Sequence, residues 1–175
     1  MSSYRPLPSW IPWIGLLLAV VVFVWQASRF WFYTIDDDFI SYRYALHWAQ
    51  GHGPVYNLGE RVEGYTNFLW VAILAGFIKL HADPVLASKI IGLLTGIGTI
   101  VFLFNLGQRI RPGSLFVALS PLLTALHWIF AVNTVNGLET PLHAFFMVAR
   151  CGRFCARRDS IHIPSAPHCS HWARP

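Results

Sequence analysis

Four apolar runs separated by short polar turns limit what this chain can fold into. The first, Trp10 to Trp25, carries Trp10 and Trp13 at one end and Trp25, Phe30, Trp31, Phe32 and Tyr33 at the other. Aromatic girdles on both sides of an apolar run mark the two interfaces of a membrane-spanning helix. The run alone falls short of the roughly 20 residues a span needs, so the helix is predicted to continue to about Phe32. It lacks a small-x-small cleavage site and continues into bulky aromatics, which argues against a cleaved signal peptide. The other runs are Phe68–Leu80, Val85–Leu106 and Leu115–Val132, and Leu142 to Val148 begins another.

Composition agrees with this reading. The chain of 175 residues is 55% hydrophobic and 12% charged, with mean hydropathy +0.48. A soluble domain carries about 25% charge. The predicted class is therefore an all-α, polytopic membrane protein. The net charge of +5 is a property of the tail, because residues 150–175 hold five arginines against Asp159 alone. No basic patch interleaves with aromatics in the body, which argues against nucleic acid as a partner. Cys151, Cys155 and Cys169 lie in the same tail, so the body needs no disulfide.

Immediately after the first run come Asp36, Asp37 and Asp38. Ionised carboxylates cannot stay in hydrocarbon, so they must face water or a polar cavity at the membrane surface. Two readings stand side by side. An Asp in the first turn of a helix over Phe39–Gln50 caps its positive end. One Asp suffices for that, and three adjacent like charges repel, so a catalytic or metal-binding carboxylate site is the sharper reading. Arg29 either snorkels to the interface or contacts a phosphate, for which a guanidinium is well shaped.

The Phe39–Gln50 segment reads as an amphipathic helix too short to span, with Phe39, Tyr42, Leu46 and Ala49 on an apolar stripe. Arg43 and His47 fall near a second stripe that begins at Asp36 and Ile40. His47 reads as an interfacial residue rather than a ligand. Gly51 to Gly59 is a turn-rich connector. Glu60, Arg61 and Glu63 return to the aqueous loop, and Thr66 or Asn67 is the expected N-cap of the next helix. An exposed ion pair in that loop would contribute little.

Phe68–Leu80 is too short to cross and is expected to be a partial or re-entrant segment. Three full crossings after Asp36 would put Glu139 on the opposite side of the membrane. Arg109 and Arg111 favour one topology and Lys79 and Lys89 the other. Gly92 and Gly96, four residues apart, suit close helix approach in lipid.

Three ordered segments carry a resemblance: Ile35–Tyr44 (IDDDFISYRY), Gly51–Trp70 (GHGPVYNLGERVEGYTNFLW) and Asn136–Pro141 (NGLETP). Together they resemble the bacterial GT-C membrane glycosyltransferases, in particular the mycobacterial-type cell-wall arabinofuranosyltransferases. Asp38 departs from the pattern, standing where a small residue is expected. The resemblance implies the N-terminal part of a GT-C fold with the amphipathic helix in the first extracytoplasmic loop. It implies a multi-pass protein of the bacterial inner membrane with its active-site loops extracytoplasmic.

The implied activity is inverting transfer of a sugar, for example arabinofuranose, from a polyprenyl-phosphate donor to a glycan acceptor. Asp36 and Asp37 would be the catalytic pair. Arg29, Arg43, Glu63, Tyr65, Asn67 and Glu139 would contact substrate. Asp37 and Asp38 could hold a divalent cation, Mg or Mn. The alternative is a non-catalytic polytopic scaffold or a motor-control or assembly factor, which would tolerate loss of the acidic pair. Residues 1–149 are expected to be the membrane portion. Residues 150–175 are expected to be a disordered basic tail from out-of-frame read-through, leaving a truncated enzyme inactive alone. The Cys and His residues of the tail fit no familiar zinc spacing.

Overall fold

The computed structural model describes residues 8, 10–60, 62–110 and 112–160, with backbone only for 154–160. The regular structure among them is helical: α1 (Ile11–Arg29), α2 (Asp36–Ala49), α3 (Phe68–Lys79), α4 (Pro84–Ile110), α5 (Phe116–Leu126), α6 (Trp128–Val135) and α7 (Thr140–Ser160). By length and composition α1 and α4 can each cross a membrane, and α5 with α6 is long and apolar enough together for a third span, broken by a 62° bend, or for a re-entrant loop.

Side-chain contacts give the helix directions. Trp13 near the start of α1 meets Phe104 near the end of α4, with ring centroids 4.9 Å apart, so these two run antiparallel. Gln26 Nε2 donates to the Ala125 carbonyl at 2.6 Å, and Phe30 lies 6.5 Å from Trp128. The α5–α6 pair therefore runs the same way as α1. Gly96 in α4 sits where a Cβ would strike Phe23 of α1 and Thr134 of α6, and Gly92 abuts the Thr134 backbone carbonyl. The small residues predicted to permit close approach occupy the contacts where helices meet. Phe145 of α7 packs on Phe102 at 5.4 Å, laying α7 along α4.

Where the polar end begins, the sequence reading needs corrections. Helix α1 stops at Arg29 rather than about Phe32. Phe30 N–H and Trp31 N–H bond back to Ala27 and Ser28 in tight i→i−3 turns, and the Trp31 and Tyr33 carbonyls are both taken by the Lys89 ammonium at 2.7 Å. A buried tertiary donor has replaced the next helical turn. The Leu115–Val132 run is two helices rather than one, because His127 adopts an extended conformation between them. The buried face of α2 is Asp38, Ser41, Tyr42 and Ala45, while Phe39 and Leu46 are exposed. The inward face is thus about one residue, or 100°, away from the apolar stripe. Its polar groups find partners inside, and Phe39 and Leu46 turn outward.

The short α3, at 12 residues, is below the length of a membrane span. It starts at Asn67, which bonds Ser41 of α2, and packs along α2 through Trp70, Val71, Leu74 and Ala75. By Ser88 and Lys89 the chain is back beside Tyr42 and the end of α1. Lys89 is 4% exposed, so it is no loop charge and drops out of the topology argument. Helix α4 leads away from this end and α5–α6 lead back, bringing Glu139 to the same end as Asp36. This removes the conflict that three full crossings would create.

At the other boundary, α7 continues to Ser160, eleven residues past the limit expected at 149/150. Cys151 is exposed and free. His162, His168, Cys169, His171 and the remainder of the expected tail lie outside the described residues.

Candidate functional site at one end of the bundle

The three aspartates occupy the first turn of α2, where exposed peptide N–H groups favour negative charge. They do not act alike. Asp36 and Asp37 are exposed, whereas Asp38 is fully buried. Asp38 Oδ2 accepts the Ile35 N–H at 3.2 Å, the carboxylate half of a capping box. Ile35 offers no side-chain acceptor in return. The capping reading therefore holds for Asp38, and Asp36 and Asp37 are the pair left facing outward. Burial pushes the Asp38 carboxyl up to about 6. The nearby Asp37 and Glu139 charges add to the rise, while the Ile35 N–H and the Lys89 charge oppose it.

A buried polar junction lies beneath this turn. Asn67 Nδ2 donates to Ser41 Oγ at 3.0 Å and to Glu139 Oε2 at 2.9 Å. Asn67 does stand at the N-cap position of α3, but its side chain bridges two other segments instead of capping. Trp70 Nε1 donates to the Gly137 carbonyl at 3.1 Å. Tyr42 donates to Ser88 Oγ at 2.8 Å, since Ser88 itself donates to the Val85 carbonyl. Gly137 has φ +110°, and a Cβ there would collide with Tyr42 and Asp38. Only glycine satisfies both demands. Asp38 Oδ1 and Asn67 Oδ1 are buried without a hydrogen-bond partner in the protein. The segments 36–44, 62–70 and 136–139 thus meet at one place.

The second stripe of α2 faces the connector. Arg43 Nε donates to the Tyr56 carbonyl at 2.8 Å, Arg43 Nη2 to Asn57 Oδ1 at 3.1 Å, and the guanidinium lies 4.6 Å over the Tyr56 ring. His47 Nδ1 donates to the Val55 carbonyl at 2.8 Å, a structural rather than a ligand role. The Tyr44 hydroxyl donates to Val62 O and accepts the Gly64 N–H. Folding the connector over α2 makes two cavities. One of about 310 Å³ is lined by Ile40, Tyr44, Tyr56, Asn57, Glu60 and Val62. The other, of about 420 Å³, is lined by His52, Pro54, Val55, Glu63 and Tyr65 among others. Ile40 follows Asp36 by four residues and Asp37 by three, so both aspartates stand one turn from the first cavity on its side of the helix.

Of the residues singled out in the sequence, Asn67 and Glu139 are joined directly, and Asp38 lies beside Glu139. Glu63 and Tyr65 share the larger cavity. Arg29 stays apart, exposed and 5.7 Å over Trp25, which matches the interfacial reading. Among the described residues, no three His, Cys, Asp or Glu side chains gather to hold a metal ion. The protein donors near Asp37 and Asp38 therefore do not by themselves fit a cation site. Sequence reasoning missed Lys89, Ser41 and Trp70. Lys89 carried a legible signal, a lone charge inside an apolar run; Ser41 and Trp70 carried none.

No family model and no solved structure matches the chain. The chain is similar to the terminal beta-(1->2)-arabinofuranosyltransferase of Mycobacterium tuberculosis (strain ATCC 25618 / H37Rv), with 28% identity over 107 residues. The match covers 57% of this chain and 16% of that protein's length, a distant similarity to a glycosyltransferase.

Proposed function

We propose that this chain carries the acidic end of a membrane glycosyltransferase of GT-C type, using a polyprenyl-phosphate sugar, such as an arabinofuranose, and a glycan acceptor. One observation carries the reading. Segments 36–44, 62–70 and 136–139 meet at one end of an apolar bundle, with Asp36 and Asp37 exposed one helical turn before Ile40, which lines a cavity. A lipid-tethered donor and a water-borne acceptor can meet only at such a boundary.

In the proposed step, an acceptor hydroxyl oxygen bonds to the anomeric carbon as the bond from that carbon to the carrier phosphate breaks. The hydroxyl proton passes to the Asp36 carboxylate, and the bonding pair leaves with the phosphate. Asp37 supports the charge of this base. Arg43, braced by Tyr56 and Asn57, supplies positive potential for the departing phosphate. In the family setting the site faces the extracytoplasmic side of the bacterial inner membrane.

Asp36→Asn in the intact protein tests this. Transfer from a polyprenyl-phosphate arabinofuranose should fall by at least about 10²-fold, the range lost with a general base, with membrane insertion unchanged. Unchanged turnover would favour the scaffold reading.

A further inference from the structure

We propose that the cavity between α2 and the connector is the subsite for the acceptor, a neutral glycan, rather than for the phosphate-bearing donor; this rests on the glycosyltransferase reading above. The cavity's volume of about 310 Å³ sits at the low end of small-ligand sites. Its walls combine the Tyr44 and Tyr56 rings and Ile40 with two polar groups, Asn57 and Glu60. Aromatic and aliphatic walls suit the C–H faces of a sugar, and a carboxylate suits its hydroxyls. Glu60 Oε2 takes the Asn57 Nδ2–H at 3.3 Å. A carboxylate has about four lone-pair sites, so acceptor capacity remains for hydroxyl donors.

The same carboxylate disfavours a phosphate, since like charges brought together in a partly enclosed site repel. Among the described residues, the cation beside this wall, Arg43, already donates to the Tyr56 carbonyl and to Asn57 and stacks on the Tyr56 ring. It braces the wall, and its charge reaches the phosphate from behind. A sugar held here has Asp36 and Asp37 one helical turn away, about 5 Å along the axis. That places a hydroxyl within reach of the base while the donor approaches from the lipid side of α2, where Phe39 is exposed.

Two variants test the assignment in the intact protein held in nanodiscs. Ile40→Trp fills the cavity from an exposed helix position, and Glu60→Gln removes the charge while keeping the shape. The probes are an octyl arabinofuranosyl disaccharide as acceptor and polyprenyl-phosphate arabinofuranose as donor. KM is measured for each, and binding of the disaccharide is read by saturation-transfer NMR. Both variants should raise the acceptor KM about tenfold or more and leave the donor KM within about twofold. A rise confined to the donor KM, or no change in either with transfer intact, overturns the subsite but leaves the enzyme. If the wild type transfers nothing yet binds the disaccharide, loss of that binding in Ile40→Trp upholds the subsite and rejects the catalytic reading. Retained binding in that variant rejects the subsite, and a wild type that neither binds nor transfers rejects both.

Discussion

The two cores of this protein are built differently. The cluster joining α2 and α3 is Tyr42, Tyr44, Ala45, Trp70, Val71, Leu74 and Ala75, with both tyrosine hydroxyls and the Trp70 N–H hydrogen-bonded. The cluster inside α1, α4, α5 and α6 is Ala19, Phe23, Ile100, Ala125 and Ala131, with no polar side chain among them. Where lipid surrounds helices, the hydrophobic effect gives no reason for one helix to prefer another, so close steric fit must do it. At the membrane face, directional bonds become available and fix positions to within a hydrogen-bond length. The bundle sets depth and direction, and the α2–α3 region sets the geometry of a site.

This contrast can be broken from either side. The largest effect is expected in the bundle. Gly92→Val would push a side chain into the Thr134 carbonyl, and overpacking at backbone should cost about 3 kcal/mol or more. Thermal unfolding in detergent should show a large drop, and a stable variant would mean that α4 and α6 are not held by fit.

The next effect belongs to the polar end and depends on pH. The Asp38 carboxyl is raised from 3.8 to about 6, so the folded state holds its proton more tightly than the unfolded chain. Its stabilising contribution is full below about 3.8 and is lost as pH rises through about 6, a change on the order of 2–3 kcal/mol. Hydrogen exchange in α2 should therefore slow, relative to Asp38→Asn, as pH falls from 7 to 4.5. Parallel curves for the two proteins would refute a buried, shifted Asp38.

The smallest effect sharpens the comparison. Trp70→Phe keeps an aromatic ring but removes part of the buried indole and leaves the Gly137 carbonyl without its donor, at about 2 kcal/mol. A milder loss than Gly92→Val, confined to amides of α3 and residues 136–139, would separate the two modes of packing.

Much of the framework was legible in the sequence. Runs of apolar residues with aromatic ends gave the helices, and the shortness of Phe68–Leu80 recurs in the 12-residue α3. The acidic turn after α1 pointed to the polar end. What escaped was pairing over long separations. Asn67 meets Glu139 across 72 positions, and no local periodicity records such a bond. The split among three identical aspartates escaped for the same reason, since it depends on Gly137 and Lys89, which arrive from elsewhere in the chain. The inward face of α2 was missed because apolar stripes mark burial only when water is the alternative, and here lipid is another.

The shortness of α3 has a further consequence, one of parity. Between Asp36 and Glu139 the chain runs the length of the bundle twice, out along α4 and back along α5–α6, which is why both acidic segments lie at one end. Lengthening α3 until it spanned would make the count odd and send Glu139 to the far side, severing it from Asn67 without altering either residue. Twelve residues are thus a counting device, and single gains or losses of a pass in this stretch should be incompatible with the junction, whereas paired ones would leave it whole.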